Sequence, residues 1–117
     1  MGYRSDVTVL VYAASDEDYN KLRLLMNTTY KQVLTDWDDD CTWVDSYSAL
    51  KFVIEDVKWY PSYKDVFEFE NFRREIETLG YAVEFIRVGE DYTDIETYES
   101  DKALGYLSVH RTIVSDV

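Results

Sequence analysis

Two periods alternate along the chain. Val7, Val9 and Val11 stand at every second position with Thr8, Leu10 and Tyr12 between them. That spacing and the β-branched side chains predict a first strand with one strongly apolar face and one mixed face. From Ser15 the period lengthens: Tyr19, Leu22, Leu25, Met26, Tyr30, Val33, Leu34 and Trp37 recur at spacings of three and four. They predict one amphipathic helix of about five turns. Ser15 is its N-cap, with Asp18 three residues on, and Asp16 and Glu17 favour the positive end of the helix dipole. Asn27, Thr28 and Thr29 are poor helix formers in its middle and mark a place for a kink.

The run of acids at 36–40 opposes the negative end of that helix and closes it. Residues 41–47 and 49–59 then read as two strands of a hairpin joined tightly around Ser46 and Ser48, and Pro61 ends the second. A second helix follows, capped by Ser62 or Asp65. Val66, Phe69, Phe72, Ile76 and Leu79 form its apolar stripe, and Gly80 is its left-handed stop. From Tyr81, Val83 and Phe85 fall to one side and Ile86 and Val88 to the other, so this strand belongs inside a sheet rather than at its edge. Residues 92–101 read as an acidic loop or short helical turn, and 103–114 as a fifth strand. The order βαββαβ plus a C-terminal strand predicts an α+β, ferredoxin-like split βαβ domain spanning 1–117. Its antiparallel sheet would carry two helices on one face, and the opposite face would be bare, free to take a second copy or a partner.

Charge narrows the classes of partner. The chain has 117 residues, 24 acidic against 12 basic, a formal charge of −12, and 16% aromatic residues, eleven of them Tyr. Its hydrophobic content, 46%, is too high for a disordered chain. Direct binding to nucleic acid or an anionic membrane needs a positive face that this composition does not offer, whereas a basic protein surface complements it. The single Cys41 excludes an internal disulfide, and no apolar run approaches the ~20 residues of a membrane span. No signal-peptide segment opens the chain, and Asp6 breaks the myristoylation pattern, so a cytoplasmic protein is expected.

Several segments are familiar together: Gly2-Tyr3-Arg4-Ser5-Asp6-Val7, Val57-Lys58-Trp59-Tyr60, the run FIRVGEDY from Phe85 to Tyr92 followed by Asp94-Ile95-Glu96, and Val109-His110-Arg111-Thr112-Ile113. In these, about a third of its length, the chain resembles a family of small acidic proteins encoded by bacteriophages and prophages. The resemblance implies a phage accessory protein acting in the bacterial cytoplasm, of the kind that disarms host enzymes or defences. It assigns no chemistry to any residue.

Candidate chemistry is sparse. Asp36, Asp38 and Asp40 stand at positions 1, 3 and 5 of a calcium-hand pattern, but position 6 is Cys41 rather than Gly and position 12 is Tyr47 rather than Glu, so a solvated acidic turn is the better reading. Cys41 follows four carboxylates that disfavour a thiolate, which argues for a small buried residue rather than a nucleophile paired with His110. Arg87 and Arg111 on strands suit ion pairs that fix register or support the turn at Glu90. Asn27-Thr28-Thr29 is a glycosylation pattern inside a helix and is set aside. Trp43, Tyr47, Phe52, Trp59, Phe85 and Tyr106 invite comparison with RNA-stacking sheets, but the accompanying basic residues are missing.

One constellation remains. Asp36, Asp38, Asp39 and Asp40 together with Glu90, Asp91, Asp94, Glu96, Glu99 and Asp101 form an acidic set that solubility alone would explain, or that would imitate the phosphates of duplex DNA, about one charge per 1.7 Å. Trp37, Tyr92 and Tyr98 are the aromatic anchors among them. The expectation is a protein that is not an enzyme, binds no cofactor or metal, and inhibits a basic host protein such as a restriction or CRISPR effector. The alternative is a dimeric ferredoxin-like regulatory or ligand-binding module without DNA mimicry.

Overall fold

A computed structural model describes residues 2–91, 93–109 and 113–117. The chain is a mixed α+β protein with a five-stranded antiparallel sheet and three helices. Strand β1 (Ser5–Tyr12) occupies the centre, paired on one side with β3 (Ala49–Val57) and on the other with β4 (Ala82–Gly89). Outside β3 lies β2 (Cys41–Val44), and outside β4 lies β5 (Ile95–Glu99), so β4 is an interior strand, as its two apolar faces require. None of the helices among the described residues is long and apolar enough to cross a membrane.

The helical period breaks where the weak formers stand. Instead of one five-turn helix there are two, α1 (Asp16–Asn27) and α2 (Lys31–Asp36). Asn27 Nδ2 donates to the carbonyl of Arg23 at 2.9 Å and Thr28 Oγ1 to that of Leu24 at 2.8 Å. Thr28 leaves helical geometry at φ −125°, ψ −87°. Short polar side chains here bond backbone groups in place of continuing the helix. Ser15 caps α1 as expected, its Oγ accepting from the Asp18 N–H at 3.2 Å. The cap of α3 (Lys64–Thr78) is Tyr63, with no side-chain bond, rather than Ser62 or Asp65. Gly80 stops that helix at φ +103°.

One core cluster joins Val7, Val9 and Val11 of β1, Leu50, Phe52 and Ile54 of β3 and Val83 and Phe85 of β4 to Leu22 and Met26 of α1, Val33 of α2, and Phe69, Phe72 and Ile76 of α3. Phe52 and Phe69 meet edge to face at 4.9 Å, a geometry the ring quadrupoles favour. A second cluster lies on the other face of the sheet: Leu10, Tyr12, Ala49, Ala82 and Ile86 are covered by Leu107, with Tyr106, Val109, Ile113 and Val117 packed around it.

Two expectations are corrected here. Residues 92–101 contain strand β5, not only an acidic turn; its outward side chains are all exposed, so hydropathy hides it. And the C-terminal region is not a fifth strand of the sheet. It is a separate hairpin of β6 (Leu107–Val109) and β7 (Ile113–Ser115), preceded by Gly105 in the left-handed region at φ +74°. That hairpin lies over the face expected to be bare, so the surface assigned to a second copy is largely occupied by the chain's own residues.

Candidate interaction surface

Antiparallel register gathers loops at the two ends of the sheet. Ser5 pairs with Val57 and with Gly89, so the end where β1 begins is also where β3 and β4 finish and β5 starts. Cys41, the first residue of β2, pairs with Phe52, which sets the preceding turn Asp38–Asp40 beside the last residues of β3 at the same end. This end therefore carries Asp38, Asp39 and Asp40, Glu55 and Asp56, Asp6, and Glu90, Asp91 and Asp94. The cations there are Arg4, Lys58 and Arg87. From β2 to β5 it spans four strand spacings, about 19 Å. Asp6, Glu55 and Asp56 sit within or beside strand sequences and stand out only once the register is known.

Not all predicted residues join them. Glu96 lies along β5, while Glu99 and Asp101 belong to the opposite end, beside the start of β4, where Glu99 pairs with Glu84. The ten acids of the sequence-derived set thus do not form one surface. Trp37 is not a surface anchor: it is 6% exposed and packs against Trp59 and Phe69 at 5.5 and 5.9 Å. Tyr98 is accessible, but its hydroxyl donates to Glu77 and its ring lies 5.3 Å from the Arg73 guanidinium, which also covers Phe85 at 4.4 Å. These contacts fasten β5 to α3. Tyr92, His110 and Arg111 lie outside the described residues.

The acids of the β4–β5 turn are tied into the fold. Arg87, whose side chain is only 12% exposed, donates from Nη2 and Nη1 to the Asp94 carboxylate at 2.7 and 3.1 Å, from Nε to Glu96 at 2.6 Å, and from Nη1 to Ser5 Oγ at 3.0 Å. The Arg87 hydrogen bond, helped by Tyr3, holds the Asp94 carboxyl below the ordinary carboxylate range. Asp91 accepts from the Thr93 N–H at 3.0 Å and hydroxyl at 2.9 Å, closing an Asx turn that lowers its pKa as well. Glu90 accepts from the Arg4 N–H at 3.1 Å, and the Asp91 N–H donates to Tyr3 Oη at 3.0 Å. Gly89 is needed for this closeness, since a Cβ there would lie 2.2 Å from Tyr3 Oη and 2.3 Å from Asp94 Oδ2.

The other turn differs. Asp36 accepts from Gln32 Nε2 at 2.8 Å, but Asp38 and Asp39 are exposed and make no side-chain hydrogen bond or ion pair among the described residues. Asp40 is half-buried; desolvation first, then the Asp39 charge, pushes its pKa up. Burial and Asp38 push the Cys41 thiol up to about 11, so at neutral pH it is a thiol with no nucleophilic character. No family model, curated protein or solved structure matches the chain.

Proposed function

We propose that the chain is a ferredoxin-like split βαβ domain with an added edge strand and a C-terminal hairpin, and that it acts as a non-catalytic inhibitor of a basic host protein. The strand order supports the first part: β1 lies between β3 and β4 with β2 outside β3, and helices connect β1 to β2 and β3 to β4. The observation that carries the second is the acidic end of the sheet, where among the described residues nine carboxylates from four segments stand against three cationic side chains. A row of this length and charge complements a groove that grips a nucleic-acid backbone. Asp38, Asp39 and Glu55 offer the least compensated charge and lead the contact, while the Arg87-bound acids hold the frame. The resemblance to small acidic phage proteins favours a bacterial cytoplasmic target that handles nucleic acid, such as a restriction or CRISPR effector.

The test is capture from bacterial lysate on immobilised protein at low and high salt. Expected is a basic nucleic-acid-binding protein that elutes as salt rises and no longer binds its nucleic acid while held. Capture of the same proteins at both salts, or a captured protein that keeps its nucleic acid, contradicts the proposal.

A further inference from the structure

We infer that the C-terminal hairpin is a strap that lifts from the sheet as a unit of its own, latched by the buried carboxylate of Glu84. Among the described residues the hairpin has its own two-stranded sheet and no ladder to the five-stranded one, and its strands are three residues each. A pair of this size is marginal alone, so it stays ordered only through what it docks on.

What it docks on is unusual for this molecule. Glu84 is 1% exposed and lies on the face away from the helices, among Leu10, Tyr12, Ala82 and Ile86. Its Oε2 accepts from the Tyr12 hydroxyl at 2.5 Å and from the Tyr106 N–H at 3.1 Å, and its Oε1 accepts from the Leu107 N–H at 2.9 Å. Tyr12 Oη in turn accepts from the Leu104 N–H at 2.6 Å. Three of the four donors belong to the backbone leading into β6, and among the described residues no cation takes part. The row across this face holds Glu99 on β5 as the neighbour of Glu84, and Lys51 beyond Leu10, whose Nζ donates to the Val117 carbonyl at 2.8 Å.

A buried carboxylate is tolerated only while its hydrogen bonds are complete. Losing the Tyr106 and Leu107 donors means that water must enter and the strap must lift; docking and desolvation are one event. The packing beside the latch is incomplete: a crevice of about 150 Å³ runs between β6 and the β4–β5 strands, bordered by Glu84, Ile86, Thr97, Leu107 and Val109. Lifting uncovers Leu10, Ala49, Ala82 and Ile86, an apolar face that the closed form hides.

Native-state hydrogen exchange on the full chain tests this. In the unmodified protein the amides of Leu104, Tyr106 and Leu107 are expected to exchange through an opening that leaves those of Val9 and Val11 protected. Glu84→Gln presents an N–H₂ to groups that are themselves donors and is expected to speed exchange of the three hairpin amides about 100-fold, with Val9 and Val11 little changed. It should also make the protein bind a dye that reports exposed apolar surface. Tyr12→Phe, which removes one donor and the acceptor of Leu104, is expected to give about tenfold. Hairpin amides that exchange only with global unfolding in the unmodified chain overturn the inference. So does a Glu84→Gln variant in which hairpin and sheet amides speed up by the same factor or not at all.

Discussion

The turn Asp38–Asp40 and the β4–β5 turn stand at the same end of the sheet and carry three carboxylates each, yet their carboxylates do different work. At the β4–β5 turn every described acid has a donor: Arg4 N–H for Glu90, Thr93 for Asp91, Arg87 for Asp94 and Glu96. Beside β2, Asp38 and Asp39 have none among the described residues, and Asp40 is raised by burial and by its neighbour. Acidic residues in a row therefore say little until their donors are known. Where a guanidinium is buried among them they are structure; where none is, they are uncompensated charge.

The sharpest break of this contrast is Arg87→Ala. It removes four hydrogen bonds from a mostly buried guanidinium, leaving Glu96 and Ser5 without that donor and Asp94 with Tyr3 alone, so urea denaturation should show a loss of roughly 2–3 kcal/mol. A loss under about 0.5 kcal/mol would make the turn as loose as its counterpart. Gly89→Ala drives a methyl into Tyr3 Oη and Asp94 Oδ2 and should cost about 1–2 kcal/mol by the same assay, less than Arg87→Ala because the Tyr3 side chain can swing away. Neutralising Asp38 and Asp39 to Asn should leave stability within about 0.5 kcal/mol while removing the charge proposed to lead the contact.

Acid titration of stability separates the two turns by sign. Asp91 and Asp94 have folded-state pKa values below the unfolded value near 3.9, so their contribution is present above that pH and is lost as pH falls through the lowered values. Asp40 has a raised folded value, so its burial costs stability at neutral pH, and that cost is relieved as pH falls through the raised value. Asp94→Asn should flatten the acid limb below about pH 4, and Asp40→Asn the gentler gain above it. Identical curves for the two variants would contradict the distinction.

Much of the frame was legible because it rests on period and burial. Val7, Val9 and Val11 mark β1, the stripe from Val66 to Ile76 marks α3, and the two-sided strand at Val83–Val88 is interior with neighbours on both sides. The pairing of Arg87 with acids beside Glu90 was also readable from charge on a strand. The break at Thr28 was marked but not decided, since it turns on side-chain bonds to Arg23 and Leu24 that propensity only weakly signals. Strand β5 was hidden because an edge strand with exposed polar side chains has no hydrophobic period to read. The hairpin of β6 and β7 was read as one strand because no Gly, Pro, Asn or Asp stands between Leu107 and Ile113 to signal a break. At the candidate surface, Glu55, Asp56 and Asp6 join by register alone, and Trp37 left the surface because aromatic stacking with Trp59 and Phe69 outweighs its acidic neighbours in sequence.

The most direct test compares salt-dependent capture by the unmodified protein with that by the Asp38→Asn, Asp39→Asn double variant and by Glu99→Gln, Asp101→Asn at the far end of the sheet. Free charge beside β2 leads the contact if the first variant loses the captured basic protein at low salt, keeps its stability, and the far-end variant binds as before. Equal retention by both variants, or equal loss, contradicts it.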